Sequence, residues 1–185
     1  ITDIFKMSEK RILKVNDKIL LKEIGLDEVD AIFNTIDSER KFLEEWLPFI
    51  EHTLDKSYTR RFVVSYLNSD KVDVTFAIYY QNNFAGIIGL KDTDYDNKKT
   101  EIGYWLSESF QHKGIMTLSG NAVIRYIFDE MNLNRIQLKA ATGNIKSQSV
   151  AKRLGFTQEG IERESELHTR GFVDLIVYGL LKAER

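Results

Sequence analysis

With 185 residues, 26 Lys plus Arg against 28 acidic residues and a formal charge of −2, the chain is of one-domain length and has no basic field of the kind that general nucleic-acid or membrane-surface binding needs. The absence of cysteine excludes disulfides, thiolate metal sites and a cysteine acyl-enzyme together, and fits a reducing compartment. No apolar run approaches membrane-spanning length and the first residues lack a signal-peptide core, so the expectation is a soluble, cytoplasmic protein folded as a single domain over residues 1–185.

Residues 1–11 read as an initial strand or arm. Ile12 to Val15 and Ile19 to Ile24 form a strand pair around Asn16-Asp17-Lys18. Asp27 suits an N-cap, and Val29, Ile32, Phe33 and Ile36 stripe one face of the helix that follows. A second short helix runs from Glu39 to Leu47. Pro48, the only proline, ends it, because the ring cannot sit in a continuing helix and restricts the residue before it. Trp46 and Phe49 bracket that break and read as core. Tyr58 to Leu67 is a third helix.

Val74 to Tyr80 and Phe84 to Leu90 are strands joined by Gln81-Asn82-Asn83, a turn rich in residues that tolerate positive φ. Asp92 to Lys99 is a second polar turn, leading to a third strand of an antiparallel meander. In that strand Ile102, Tyr104 and Leu106 alternate with Glu101, Gly103 and Trp105. From Gly114 the period changes: Met116, Gly120, Val123, Ile127 and Met131 recur at helical steps. Arg135 to Ala141 is the next strand and Ser147 to Leu154 the next helix. A final hairpin turns at Thr169-Arg170-Gly171, and its charged run Glu162 to Glu166 reads as a solvated strand edge. Mixed strands and helices around an antiparallel-dominated sheet make the fold class α+β.

The join of strand and helix at Gly114 suits a phosphate. The first amides of a helix lack internal partners and the macrodipole adds positive character there, while glycine removes the Cβ that would block approach. His52, His112 and His168 show neither metal spacing nor a Ser/Asp pattern and read as surface or structural groups, so no metal is expected. A Rossmann or P-loop site fails for want of Gly-x-Gly-x-x-Gly or Gly-Lys-Ser/Thr after an early strand.

Gln111-x-x-Gly114 resembles the coenzyme-A pyrophosphate loop of the GNAT N-acetyltransferases, and Gly114-Ile115-Met116 is similar to the form common in the subgroup acting on ribosomal-protein N-termini. His112 stands where that subgroup usually has glycine. Asn144-Ile-Lys-Ser147 with Leu154-Gly155-Phe156, Trp46-Leu-Pro-Phe49 and Glu101-Ile-Gly-Tyr-Trp105 resemble further segments of the same subgroup, in order, across about residues 40 to 180. The resemblance implies a GNAT fold, with a mixed, mostly antiparallel sheet, helices on both faces and a central strand pair that splays apart after Leu106 and Arg135. It also implies acetyl-CoA as co-substrate and transfer of an acetyl group to a primary amine. A helix-loop-helix over the acceptor site is implied too, which would make Trp46 and Phe49 one wall of the substrate cleft instead of core.

The implied cofactor contacts are the backbone of Tyr104, Trp105 and Leu106 for pantetheine and acetyl, the amides of Gln111, His112, Lys113, Gly114, Ile115, Met116 and Thr117 for pyrophosphate, and Asn144 for pantetheine. Lys113 would reach a phosphate or remain solvated. Glu101 is the implied base, the alternative being a strand glutamate on the solvent face. Most GNAT enzymes place a tyrosine where this chain has Ala151, and the subgroup's serine, here Ser147, is the implied acid or hydrogen-bond donor for the departing thiolate; Asn144 or Ser147 also suits a helix cap. Without cysteine, direct attack in a ternary complex is favoured over a covalent relay.

An α-amine titrates near roughly 7.7–8.0 and a lysine near roughly 10.4, so at neutral pH about a tenth of the former is already nucleophilic. A weak catalytic pair therefore suits a protein N-terminus, with a ribosomal protein as partner. The other readings are a small-amine acetyltransferase for a polyamine, aminoglycoside or amino acid, and a non-catalytic acyl-CoA sensor. A homodimer is an expectation from relatives.

Overall fold

A computed structural model of the chain describes residues 10–70 and 72–185, so most of the arm expected over residues 1–11 lies outside the described residues. Eight strands form one sheet in the order β1-β2-β3-β4-β5-β6-β8-β7. They are β1 Ile12–Lys14, β2 Ile19–Glu23, β3 Thr75–Tyr80, β4 Asn83–Asp94, β5 Lys99–Leu106, β6 Arg135–Ala141, β7 Thr157–His168 and β8 Gly171–Leu181. The helices are α1 Val29–Ser38, α2 Arg40–Leu43, α3 Lys56–Asn68, α4 Ile115–Arg125 and α5 Ile145–Arg153.

Period-two alternation lets the central strands feed two cores. On β3, Phe76 and Ile78 join a cluster with Val123, Ile127, Ala151 and Leu154 from the α4–α5 side. Ala77 turns to the opposite face, where Ile32, Ile36, Leu43, Val63 and Tyr66 from α1–α3 pack with Trp105. Helices thus cover both faces, α1–α3 on one and α4–α5 on the other.

The sheet is antiparallel except between β5 and β6, whose crossover runs through α4. That parallel pairing runs from Lys99↔Arg135 to Ile102↔Leu138 and stops, although β5 continues to Leu106 and β6 to Ala141. The expected splay is therefore present. Opposite it, the β3–β4 register shifts between Ile78 and Tyr79, a bulge of the kind that bends a strand and sharpens its twist. Gly86 lies at that point against β5 so closely that a Cβ would meet the Trp105 carbonyl oxygen at 2.2 Å.

Several local expectations change. Asp27 does not cap α1: it sits inside a short turn over Leu26–Glu28 and forms ion pairs with Lys10 and Lys22, the latter at 2.6 Å. The turn is capped instead by Glu28, whose Oε2 accepts from the Gly25 amide at 2.8 Å. Glu28 is fully buried, paired with Lys10 at 2.8 Å and with Lys22 at 3.0 Å. The second helix is only one turn, Arg40–Leu43, and stops before Pro48, which opens a 3-10 turn over Pro48–His52. Arg40 fixes that turn by donating to the Ile50 and Thr53 carbonyls, both at 2.8 Å. After Arg125 the α4 stripe continues as a π turn over Tyr126–Glu130.

Candidate active site

The splay opens into a cleft of about 1330 Å³. One wall is apolar, with Phe42, Trp46, Phe49 and Phe62 from the α1–α3 layer; the floor is the parted halves of β5 and β6; the loop before α4 and the first turn of α5 close one end. Trp46 is both wall and packing group, since a Cβ on Gly143 would meet its ring at 3.2 Å. The layer is tied to the end of β5 through Glu39, which accepts from Ser107 Oγ at 2.7 Å and from the Glu108 amide at 2.8 Å.

At the loop end, Gly114 caps α4 with φ +71° and has open space where a Cβ would stand. His112 shares that left-handed conformation at φ 60°, which explains why its position suits glycine. Ile115 and Met116 send their side chains into the core, leaving their amides and that of Thr117 as the helix donors without an internal partner. Lys113 does not reach over the loop: its Nζ donates to the Ser109 carbonyl at 2.9 Å and lies 5.1 Å from the Phe110 ring centroid. Two cations that sequence reasoning missed stand at this mouth instead. Lys146 Nζ donates to Gln111 Oε1 at 2.9 Å, and Arg153 Nε donates to Thr117 Oγ1 at 3.2 Å. Their spacing of two helical turns on α5 was the available signal.

Glu101 is buried and lines the cleft, so the solvent-face alternative is set aside. Lys91 Nζ lies 2.8 Å from its Oε1, Gln137 Nε2 donates to its Oε2 at 3.1 Å, and Lys139 stands 4.0 Å away. Glu166 also lines the cleft, which corrects the reading of its segment as wholly solvated: β7 is an edge strand, but this residue turns inward and holds buried His168 at 2.7 Å. Arg61, Lys139, Lys146 and Arg153 line the cleft as well, so no acidic surplus builds up.

Asn144 caps α5, its Oδ1 accepting from the Ser147 amide at 3.0 Å. The Ser147 hydroxyl meets the Tyr104 hydroxyl at 3.0 Å. Burial pushes that phenol up to about 12, against a smaller downward pull from Ser147. Position 151 holds an alanine and no phenol, but the splay brings the phenol of Tyr104 into the site from β5. Trp105 turns to the opposite face of β5 from Tyr104 and packs in the α1–α3 core with its ring centroid 5.8 Å from that of Phe84. Leu106, half-buried, lies on the unpaired stretch of β5.

The chain matches the model of the acetyltransferase (GNAT) domain over residues 18–157. It belongs to the GNAT acetyltransferase family. It is 33% identical over 175 residues to a Bacillus subtilis protein whose name assigns it to the ribosomal N-acetyltransferases, YdaF, covering 92% of this chain and 95% of that protein. It is 27% identical over 168 residues to the ribosomal-protein-serine acetyltransferase of Escherichia coli, covering 90% and 94%. Among solved structures it resembles RimL, a ribosomal L7/L12 alpha-N-protein acetyltransferase in complex with coenzyme A, at TM-score 0.89 and 26% identity over 95% of this chain and all of that one. It also resembles the microcin C7 self-immunity acetyltransferase MccE in complex with acetyl-CoA and AMP, at TM-score 0.87 and 28% identity over 91% and 94%.

This GNAT enzyme is an acetyl-CoA-dependent N-acetyltransferase, and its own geometry fits the co-substrate. The unpaired edges of Gly103–Leu106 and of the end of β6 offer main-chain groups to an amide-bearing arm, and the exposed amides at Gly114 with the adjacent Lys146 and Arg153 suit a diphosphate. Among the described residues no cluster of His, Asp and Glu could hold a metal, and no helix is long and apolar enough to cross a membrane.

Proposed function

We propose that this enzyme acetylates the N-terminal α-amine of a protein, a ribosomal protein in the first instance, by direct attack in a ternary complex. The observation that carries the reading is the charge lining of the cleft. Glu101 is answered by Lys91, and the cleft that Glu101 and Glu166 line is also lined by Arg61, Lys139, Lys146 and Arg153, so a polyamine finds no net acidic chamber, whereas a chain end with one amine and peptide groups behind it meets an apolar wall and a floor without acidic surplus. The names of YdaF, of the Escherichia coli ribosomal-protein-serine acetyltransferase and of RimL point the same way.

When bound, acetyl-CoA supplies the activated acyl carbon and a thiolate leaving group. The amides of His112 to Thr117 hold its diphosphate; that of Gln111, expected to join them, is already donated to the Glu108 carbonyl at 3.1 Å. The main chain of Tyr104, Trp105 and Leu106, with Asn144, holds the pantetheine. Glu101 receives the proton of the attacking amine. Because Lys91 and Gln137 occupy both carboxylate oxygens, a water bridges the last step. Ser147 hydrogen-bonds the departing sulfur.

The test is intact-protein mass spectrometry of candidate ribosomal proteins and their N-terminal peptides beside a panel of polyamines, aminoglycosides and amino acids. Acetylation at the first residue of a ribosomal protein is the expected result. Transfer only to small amines would replace the reading with a small-molecule acetyltransferase, and binding of acetyl-CoA without turnover on any acceptor would leave a sensor.

A further inference from the structure

We propose that Tyr104 is a positioning residue for the departing thiolate: its phenol donates to Ser147 Oγ and so turns the single serine hydrogen toward the sulfur. The inference rests on the reading of Ser147 given above. A serine hydroxyl has one hydrogen and can spend it either on Tyr104 or on a ligand. Tyr104 Oη lies 3.0 Å from Ser147 Oγ and 3.4 Å, at the limit of a useful hydrogen bond, from the Ser147 carbonyl oxygen. Of the two hydroxyls the phenol is the stronger acid and hence the better donor. With its hydrogen on Ser147 Oγ, the serine hydrogen is left for the cleft, which both residues line.

The same geometry decides what Tyr104 does not do. Burial pushes its phenol up to about 12, while a thiol titrates near roughly 8.5, so full transfer of the phenolic proton to sulfur is uphill by about three to four units. Tyr104 therefore keeps its proton throughout. Ser147 meets a sulfur that has kept the electron pair of the broken C–S bond, the acyl carbon having gained its bond to nitrogen and the nitrogen proton having gone to the bridging water at Glu101. The pair stabilises the anion by hydrogen bonding without protonating it.

The chain contains no cysteine, so the only thiol in its complex with coenzyme A is the ligand's own. Its ionisation can be followed directly by the ultraviolet absorbance of the thiolate, with the ligand-free protein subtracted, and no turnover is needed. In the wild-type complex the bound thiol is expected to titrate about one unit below its free value, as one hydrogen bond to the charged form would produce. Tyr104→Phe should return most of that shift while leaving the dissociation constant of coenzyme A within about twofold and lowering kcat about tenfold. Ser147→Ala should return all of it, and the double variant no more than Ser147→Ala alone. Fluorotyrosine at position 104, a stronger donor of nearly the same shape, should lower the thiol value further.

A shift present in the wild type, lost in Ser147→Ala but untouched by both Tyr104 replacements, would overturn the role of Tyr104 and keep that of Ser147. No shift in the wild type would remove the reading of Ser147 itself.

Discussion

Replacement of Gly114 separates the two physical contributions of the anion loop. Gly114 has φ +71°, and nothing lies within 4 Å of where its Cβ would stand, so an alanine there meets no clash within the chain and costs the fold only the left-handed backbone, about 1 kcal/mol. That cost is present with and without ligand. It should lower Tm by about 2–4 °C for a domain of this size, while the added methyl, by crowding the approach of the diphosphate, should weaken coenzyme A binding by a few-fold with little dependence on salt. Gly114→Glu carries the same backbone cost and adds a negative charge beside the diphosphate. Two unit charges about 5 Å apart repel by about 1 kcal/mol in water and about 3 kcal/mol at the effective dielectric of a protein surface, which corresponds to a loss of roughly fivefold to a hundredfold in affinity. Calorimetric titration of coenzyme A into the three proteins at low and high salt reads this directly. The alanine variant should bind somewhat more weakly than wild type with no response to salt, and the acidic variant should bind more weakly still and recover in part with salt. Equal dissociation constants for Gly114→Ala and Gly114→Glu would refute the assignment of the diphosphate to the start of α4.

Glu101→Gln keeps the shape of the side chain but removes its charge opposite Lys91; kcat is expected to fall about a hundredfold while coenzyme A affinity moves less than twofold, and a larger change in affinity than in turnover would place Glu101 in cofactor binding. Trp46→Ala opens the apolar wall above Gly143, so the KM for an acceptor peptide should rise several-fold with that for acetyl-CoA unchanged; the reverse pattern would move Trp46 out of the acceptor chamber. Asp27 provides a pH test. Partial burial alone would raise its carboxyl, but the ion pairs with Lys10 and Lys22 outweigh this and hold it well below its ordinary value of 3.8, so its contribution to stability is complete above that value and drains away as pH falls through the depressed one. Hydrogen bonds to Asp27 and then Glu28 raise Lys22 above its ordinary 10.5, so its contribution is present below 10.5 and is lost only as pH rises beyond that. Thermal unfolding of wild type and Asp27→Asn from neutral pH to pH 2 should show a gap that is constant down to about pH 4 and narrows steadily below it; a gap constant across the range would contradict the ion-pair account.

Local patterns carried most of the fold because local forces fix those parts. The turn at Gln81 and Asn82 has φ 48° and 65°, the conformation its composition asks for, and β6 occupies the residues its alternation predicts. The phosphate loop was legible for the same reason: a change of period from two to three-and-a-half at a glycine is a statement about neighbouring residues. What escaped was set by partners far apart in the chain. Asp27 read as a helix cap, yet the residue that matters is its neighbour Glu28, buried because Lys10, Lys22 and the Tyr79 hydroxyl, 51 positions away, converge on it. Glu23 is similarly held by the Tyr66 hydroxyl at 2.7 Å across 43 positions. Glu166 looked solvated because its neighbours Glu162 and Glu164 are charged, but the β7–β8 register shifts between Glu162 and Glu166, and Glu166 lines the cleft. No periodicity encodes such pairings.

The same limit explains why Tyr104 was read only as backbone. Its alternation with Gly103 and Trp105 says which face it occupies, and the family pattern then directs attention to position 151, where a phenol is missing. The structure restores a phenol by a different route: because β5 and β6 part after Ile102 and Leu138, a side chain from the middle of β5 can reach the first turn of α5 across the gap. In a sheet that stayed paired, the strand spacing of about 4.8 Å would fill that space with β6 itself. The bulge of β4 at Gly86 lies beside the end of β5, and the parting of β5 from β6 that leaves main chain open to the thioester is also what lets the Tyr104 hydroxyl reach Ser147.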